Sequence, residues 1–273
     1  MRTDASKPLV RFGLFADAHY AETVYGDRHC KDAPAKLRAC IDTFAQGGLD
    51  FAICLGDIID QADDPETERG YLLHMNQIFA GFSGPRHFVI GNHDVATLTK
   101  REFLTACGDR PPFYSFDAGE VHCVVLDGNC HADGSDFSGG NFSWDEAWIS
   151  SAQLEWLKRD LETNRARPVL AFCHENVDQR LFQGQRDPHI LCNAAQLRQL
   201  LAGAGNVRAL LQGHYHPGIL TTIEGIDCIG LRAMVVGAGL ENNAYAIASL
   251  YRDGSLVIDG FGQQPSYQLR KDA

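Results

Sequence analysis

The sequence predicts an α/β (α+β) protein in which two mixed β-sheets pack as a sandwich with helices flanking them. Its first half alternates short apolar runs with longer segments of helical spacing, the pattern of parallel strands joined by right-handed crossovers. After residue 218 the pattern changes to short strands separated by turns. Because no linker, repeat or low-complexity tract interrupts the 273 residues, we expect a single domain over residues 1–273.

The first half contains three predicted strands with helices between them. The strands are LVRFGLFA (9–16), DFAICLG (50–56) and RHFVIG (86–91). Leu37, Ile41 and Phe44 recur at helical spacing between the first two strands, and the segment 72–82 repeats that spacing before the third. This order predicts a β-α-β-α-β unit with parallel strands.

The second half predicts a mixture of hairpins and further helix-linked strands. An Ala118-Gly119 turn divides the segment 113–127 into two strands, and Asp253-Gly254 divides a later pair. Ser150 and Gln153 predict a capping box at the start of a helix. Two more apolar runs predict buried strands, at 168–173 and 207–213.

The composition argues against a nucleic-acid-binding or membrane-bound surface. The chain has 24 Lys and Arg against 35 Asp and Glu, and its net charge of −11 offers no broad attraction for nucleic acid or anionic lipid. No apolar stretch approaches the roughly 20 residues of a membrane span. Any phosphorylated ligand must therefore be attracted by a local site.

The cysteines and the N-terminal segment predict a cytoplasmic protein. The nine cysteines include no C-x-x-C pair, and several lie inside apolar runs, where a reduced thiol behaves as a small hydrophobic group. The segment MRTDASKPLV (1–10) has no apolar core of the kind found in signal peptides, so we expect none. The sequence predicts no particular oligomeric state.

Polar side chains capable of binding metal follow five of the predicted strands. Because ligands bind at the carboxyl ends of strands in open α/β sheets, we expect these side chains to converge at one rim. Turn and cap preferences explain any one of them alone, but not five in succession. The residues are Asp17 and His19, then Asp57, then Asn92, His93 and Asp94, then His174, and finally His214 and His216.

This order, D-x-H, G-D, G-N-H-D, H and G-H-x-H, resembles the calcineurin-like metallophosphoesterases, whose fold is a four-layer sandwich. The resemblance runs from Asp17 to His216. It implies two metal ions that share Asp57 as a bridging ligand. It implies Asp17, His19, Asp57 and His216 as ligands of one ion, and Asp57, Asn92, His174 and His214 as ligands of the other.

The ligand types restrict the metal and suggest the chemistry. Carboxylate and imidazole suit Mn²⁺, Fe or Zn²⁺, of which we favour Mn²⁺. Two such ions about 3.5–4 Å apart can hold a bridging hydroxide that attacks phosphorus and can neutralise the phosphoryl oxygens. We expect His93 to protonate the leaving group, with Asp94 orienting its ring, although Asp94 would equally suit a helix cap.

The substrate is less well defined than the metal site. Residues near the C-terminus resemble a subgroup that includes manganese-dependent ADP-ribose/CDP-alcohol diphosphatases, which tend to carry Gln where this chain has His19. In the loop 20–31, Arg28 would bind a second phosphate and Tyr20 or Tyr25 a ring, with Asn92 also contacting the substrate.

Three hypotheses therefore stay open. The first is a phosphohydrolase acting on a small phosphodiester or nucleoside-diphosphate-linked compound. The second is a phosphomonoesterase or cyclic-nucleotide phosphodiesterase on the same metal site. The third is a non-catalytic scaffold of the same fold, against which the intact set of metal-competent side chains argues.

Overall fold

A computed structural model describes residues 7–270 of the chain. One sheet of six strands contains the predicted parallel unit at its centre and edge. In spatial order the sheet contains β14 (Tyr267–Leu269), β13 (Leu256–Gly262), β12 (Ala244–Leu250), β1 (Val10–Phe15), β2 (Phe51–Cys54) and β3 (Arg86–Phe88). The strands β1, β2 and β3 run parallel, and β12, β13 and β14 add to them in antiparallel pairs.

The second six-stranded sheet is also mixed. Its four inner strands run parallel, and an antiparallel strand lies at each edge. The order is β10 (Ile219–Ile223), β11 (Ile226–Gly230), β9 (Val207–Gln212), β6 (Val169–Phe172), β5 (Val121–Val125) and β4 (Tyr114–Ala118). A separate small hairpin joins β7 (Leu181–Phe182) to β8 (Gln185–Arg186). The turns predicted at Ala118-Gly119 and Asp253-Gly254 are confirmed, because they join β4 to β5 and β12 to β13.

Five α-helices cover the sheets. They are α1 (Ala33–Gln46), α2 (Pro65–Phe79), α3 (Lys100–Ala106), α4 (Ser151–Thr163) and α5 (Ala194–Ala204). The predicted apolar face of α1 is buried. At the start of α4, Ser150 caps the helix by accepting from the Gln153 amide at 3.2 Å. The Gln153 side chain instead bonds to the backbone of Asp127, so only half of the predicted capping box forms.

The inner faces of the two sheets form a shared apolar core. Phe12 and Phe51 of the first sheet meet Phe172 of the second in edge-to-face contacts, with ring centroids 5.8 and 6.2 Å apart. All three rings are fully or almost fully buried. On the outer side of the first sheet, Phe79 of α2 packs on Phe15 of β1 at 5.2 Å. The predicted sandwich of two mixed sheets with flanking helices is confirmed.

The parallel strands bring the predicted site residues to one edge of the sandwich. The loops after β1 and β2 join there, since the Asp17 amide donates to the Gly56 carbonyl at 3.0 Å and the His19 amide to Asp57 at 2.9 Å. In residues 7–270, no helix has the length and apolar character needed to cross a bilayer. The prediction that no signal peptide is present falls largely on residues 1–6, which lie outside the described range.

Candidate metal centre

All seven predicted metal ligands lie together at the carboxyl ends of β1, β2, β3, β6 and β9. Six of them are almost fully buried, and His216 is partly exposed. A buried cluster of this kind contains far more charge and polarity than an apolar core tolerates without compensation. The ligands are Asp17, His19, Asp57, Asn92, His174, His214 and His216.

Four of these residues adopt backbone conformations that side chains other than glycine rarely take. The φ angles are 55° at Asp17, 47° at His19, 53° at Asp57 and 69° at His214. Each such residue costs about 1–3 kcal/mol and persists only where the surrounding structure enforces it. The strain turns these side chains from the strand ends toward a common point. It is therefore associated with the site and not with turn formation alone.

The glycines of the motifs allow the loops to approach closely. A Cβ atom on Gly213 would lie 2.7 Å from Asp17 Oδ2 and 3.1 Å from His174 Nδ1. A Cβ atom on Gly91 would collide with the backbone nitrogen and Oδ1 of Asp57. The glycines therefore leave space for the predicted ligands, which explains their place directly before the polar residues.

The first group of donors consists of Asp17, His19 and His216. The Nε2 atoms of the two histidines lie 3.1 Å apart. Asp17 Oδ1 is 3.8 Å from His19 Nε2 and 3.7 Å from His216 Nε2. Metal–nitrogen bonds of about 2.1 Å place two nitrogens of one ion roughly 3 Å apart, so this spacing fits a shared ion.

The second group consists of Asp57, His174 and His214. Asn92 directly precedes His93, whose amide donates to Asp57. Three atoms of these residues are buried and make no well-formed hydrogen bond within residues 7–270: Asn92 Oδ1, His214 Nε2 and His174 Nε2, the last of which has Asp57 Oδ2 at 3.2 Å. Buried acceptors and donors are rarely left without a partner, and these three carry the atoms that bind metals. A divalent cation bound here would give all three atoms a partner.

Asp57 lies between the two groups. Its Oδ2 atom is 3.4 Å from His19 Nε2 and 3.2 Å from His174 Nε2. Its Oδ1 atom accepts from the His93 amide at 2.8 Å, which fixes the carboxylate. The position agrees with the bridging role implied by the sequence resemblance.

The protonation states suit metal binding. Burial lowers the pKa of His216 to about 4 and holds the pKa of His19 and His214 well below its usual range. These imidazoles are therefore neutral near pH 7, the form that binds a metal. For Asp57, burial acts to raise the pKa, but the nearby histidines outweigh it and hold the pKa well below its usual range. For His174, burial acts to lower the pKa, but Asp57 outweighs it and holds the pKa well above its usual range, so this imidazole would have to lose a proton to bind an ion. The site thus combines three neutral imidazoles with the negative charge of Asp57.

His93 stands at the edge of this cluster, and its ring is held by Asp60. The His93 Nδ1 atom donates to Asp60 Oδ1 at 2.8 Å, and the His93 ring lies 4.7 Å from the His19 ring. About a quarter of the His93 side chain is exposed, so it can meet a ligand in the cleft. The structure also groups His93 with His19 and Asp57 at metal-binding distances.

The expectation that Asp94 orients the His93 ring is wrong. Asp94 is fully buried and accepts four backbone amides, those of Gly91 and of residues 57–59, at 2.8–3.3 Å. Asp94 therefore fixes the loop after β2 against the loop after β3, and so positions Asp57. The acidic residue that sequence reasoning missed is Asp60, whose only local signal is its place three residues after Asp57.

The loop 20–31 differs from the sequence-based expectation. Tyr20 is buried, its hydroxyl donates to Glu22 at 2.6 Å, and its ring packs on Tyr71 at 4.9 Å, so it offers no free face to a substrate. Tyr25 is 76% exposed and has no such contact among residues 7–270. The local sequence of the loop could not predict which tyrosine turns inward.

Arg28 turns toward the cluster instead of along the cleft. Its guanidinium forms an ion pair with Asp60 and approaches His19 Nδ1 to 2.7 Å. With His19 Nε2 as a metal ligand, Nδ1 would carry the proton and Asp60, 3.8 Å away, would be its acceptor.

These features define a phosphoesterase of known family. Residues 10–218 match the calcineurin-like phosphoesterases, and the chain belongs to this family. The crystal structure of a dimetal phosphatase from Danio rerio has the same fold, with a TM-score of 0.82 at 22% identity, over 97% of this chain and 100% of that chain. The protein is a metal-dependent phosphoesterase whose His and Asp clusters are consistent with two divalent metal ions.

Two curated relatives act on different substrates. A manganese-dependent ADP-ribose/CDP-alcohol diphosphatase of Arabidopsis thaliana is 31% identical over 140 residues, which are 47% of this chain and 45% of that protein. A 3′,5′-cyclic adenosine monophosphate phosphodiesterase of Haemophilus influenzae is 23% identical over 265 residues, which are 94% of this chain and 89% of that protein.

Proposed function

We propose that this phosphoesterase uses two metal ions to hydrolyse a small phosphodiester or a nucleoside-diphosphate-linked compound. The observation that carries the proposal is the position of Asp57 between two groups of metal-binding atoms. The His93 ring, which Asp60 holds in place, lies beside these groups. A phosphate group placed over both groups would have an imidazole at one side.

In this proposal each residue has a defined task. Asp17, His19 and His216 would hold one ion, Asn92, His174 and His214 would hold the other, and Asp57 would be shared. Bound ions would supply Lewis acidity toward the phosphoryl oxygens and would lower the pKa of water at the site. His93 delivers a proton to the departing oxygen, and Asp60 keeps its ring in place. Mn²⁺ is the proposed ion, supported by the manganese dependence of the Arabidopsis relative.

A cyclic-nucleotide phosphodiesterase is the second candidate. The relative with that activity aligns over nearly the whole chain, whereas the diphosphatase aligns over about half of it at higher identity. Both reactions, like that of a phosphomonoesterase, need the same metal groups and a leaving-group acid. A non-catalytic scaffold would not need three buried metal-competent atoms that make no well-formed hydrogen bond.

A substrate panel tests this proposal. The protein with Mn²⁺ is assayed on p-nitrophenyl phosphate, bis-p-nitrophenyl phosphate, ADP-ribose, CDP-choline and cyclic AMP. We expect a chelator-sensitive activity that is highest on bis-p-nitrophenyl phosphate, ADP-ribose or CDP-choline. Preference for cyclic AMP would select the second candidate, and preference for the monoester would reject the favoured one.

Metal stoichiometry tests the shared ligand separately from the substrate. Titration with Mn²⁺ should saturate at two ions per chain. Asp57→Asn should weaken both sites, because its carboxylate faces both groups, whereas His216→Ala should weaken mainly one. Saturation of the unmodified protein at a single ion would contradict the two-ion proposal.

We also propose that the chain is one domain over residues 1–273 in a reducing, cytoplasmic compartment. The core shared by both sheets supports the first point. For the second, all nine cysteines lie in the described range, and each is a free thiol. The acidic composition does not favour binding to an anionic membrane surface or to a nucleic acid.

A further inference from the structure

Three aromatic rings lie beside His214, and neither the metal groups nor His93 accounts for them. Trp144 comes from the loop before α4, His189 from the segment after β8, and Tyr215 from the loop after β9. The His189 ring lies 5.0 Å from His214, 5.2 Å from Tyr215 and 5.3 Å from Trp144. Segments distant in sequence therefore build one aromatic surface next to a proposed ligand.

Two of the three rings, those of His189 and Tyr215, are each fixed by a polar or charged neighbour. His189 Nδ1 donates to Asp187 at 2.7 Å, and this carboxylate holds the imidazole in place. The Arg180 guanidinium lies 3.7 Å from the Tyr215 ring centroid, a cation–π contact that fixes that ring. Because the rings are already ordered, a ligand that stacks on them loses little conformational freedom.

Trp144 is held through its backbone while its ring faces solvent. The turn around it is closed by a bond from the Glu146 amide to the Ser143 carbonyl at 3.0 Å, and Arg186 donates to the Asp145 carbonyl at 2.7 Å. Its side chain is nevertheless 41% exposed. A large indole left exposed on an anchored loop beside the metal groups offers an aromatic face to a ligand.

The nearby aromatic residue Phe142 does not have a free ring surface of this kind. Phe142 lies two positions before Trp144, and its ring is 5.9 Å from the His93 ring, near the opposite group of metal-binding atoms. Phe142 packs against the hydrophobic core, so its ring is already occupied. Trp144 lies 6.2 Å from His214, which places the free aromatic surface on the side of His174 and His214.

We propose that Trp144, His189 and Tyr215 form an aromatic subsite that binds the planar ring of a nucleoside carried by the substrate. This inference rests on the proposed function, because the phosphate must be held at the metal groups for its nucleoside to reach the subsite. Stacking on aromatic rings does not depend on which base is bound, because every nucleobase offers a flat face. A surface of this kind therefore suits a nucleobase. The nucleoside ring would lie on the side of the metal groups away from His93, which is proposed to protonate the leaving group. The nucleoside therefore belongs to the part of the substrate that stays attached to phosphorus.

The test uses binding of AMP and CMP to the full chain with excess Mn²⁺, followed by calorimetry and by tryptophan fluorescence. AMP and CMP should quench the fluorescence, and inorganic phosphate should quench it much less. Trp144→Leu should abolish the quenching and weaken AMP binding by about 5- to 100-fold, the range for loss of one base stack. Trp144→Phe, which keeps an aromatic face, should retain most of the AMP affinity.

Trp156→Phe is the matched control, because Trp156 lies on α4 against Phe113 at 5.1 Å and does not contact the subsite. It should keep both the quenching and the affinity. Unchanged AMP affinity in Trp144→Leu would overturn the subsite. Activity on bis-p-nitrophenyl phosphate separates the two proposals: if the unmodified protein hydrolyses this diester, the proposed function stands even when the subsite fails.

Discussion

At the scale of single residues, the centre depends on strained backbone positions. Asp17, His19, Asp57 and His214 all have φ between 47° and 69°, and together they cost several kcal/mol. Backbone bonds between the loops and four amide bonds to Asp94 hold the strained loops in place. The strain is thus part of how the protein aims its donors before any ligand is present.

His93 gives the first prediction at this scale. If it protonates the leaving oxygen, His93→Ala should lower the rate about 10²–10⁴-fold on a substrate with an alkoxide leaving group. The loss should be much smaller on bis-p-nitrophenyl phosphate, since p-nitrophenolate needs little protonation. Steady-state kinetics on both substrates, with metal content measured in parallel, make the comparison.

Asp60→Asn serves as the companion variant, because Asp60 holds the His93 ring and is not itself a proposed metal ligand; the metal content of this variant is measured as well, since Asp60 also lies 3.8 Å from His19 Nδ1. It should show the same dependence on the leaving group with a smaller loss, and it should shift the pH profile. Equal losses of His93→Ala on both leaving groups would show that the ring acts on the phosphoryl oxygens instead.

At the scale of loops and strands, the loops approach one another so closely at the metal groups that only glycine fits at some positions. Gly91→Ala would push a methyl group into Asp57, so we expect Mn²⁺ affinity to fall about 10–100-fold and stability by about 1–3 kcal/mol. Gly70→Ala on α2 is the matched control, since its added methyl group meets no atom within 4 Å. It should stabilise the helix by up to about 1 kcal/mol. Calorimetric metal titration and urea unfolding provide both measurements.

A second prediction at this scale concerns the attachment of α4 to β5. His122 donates to Asp117 at 2.8 Å and to Asp160 of α4 at 2.7 Å. Burial acts to lower the pKa of His122, but the two carboxylates outweigh it and raise the pKa above 6.5. The protonated ring therefore stabilises the fold fully below pH 6.5, and this contribution disappears as the pH rises through the raised value.

The His122→Gln variant measures that contribution. Urea unfolding in the presence of chelator should show the wild-type protein about 1–2 kcal/mol more stable than the variant near pH 5.5, allowing for the half-exposed Asp117 carboxylate. The difference should shrink as the pH is raised to 9. A difference that grew with pH would mean that the ring is neutral in the folded protein.

At the scale of the whole molecule, the core between the sheets predicts that both unfold together. Phe172 is fully buried between Phe12 and Phe51, so Phe172→Ala should destabilise the protein by about 3–5 kcal/mol. Far-ultraviolet circular dichroism and tryptophan fluorescence should still follow one coincident transition. Phe182→Ala, at a site 57% exposed, should change stability by no more than about 0.5 kcal/mol. Two separate transitions would contradict the single-domain proposal.

The resemblance to a known family implied how the metal ligands are assigned. The sequence by itself determined the β-α-β-α-β unit, the sandwich and the polar residues that follow the predicted strands. It could do so because hydrophobic periodicity records which face of each element is buried, and parallel strands end at the same rim. Asp17, Asp57 and His174 follow their strands directly, so local position was enough to place them.

Only the tertiary structure decided which side chains meet once they reach that rim. Asp60 rather than Asp94 holds His93, Tyr20 turns into the core, and Arg28 turns toward His19. Trp144 likewise meets its neighbours only through three separate loops. The direction of a loop side chain follows from backbone angles and from packing against residues far away in sequence. No local pattern records those contacts, because each arises only when the two sheets are folded against each other.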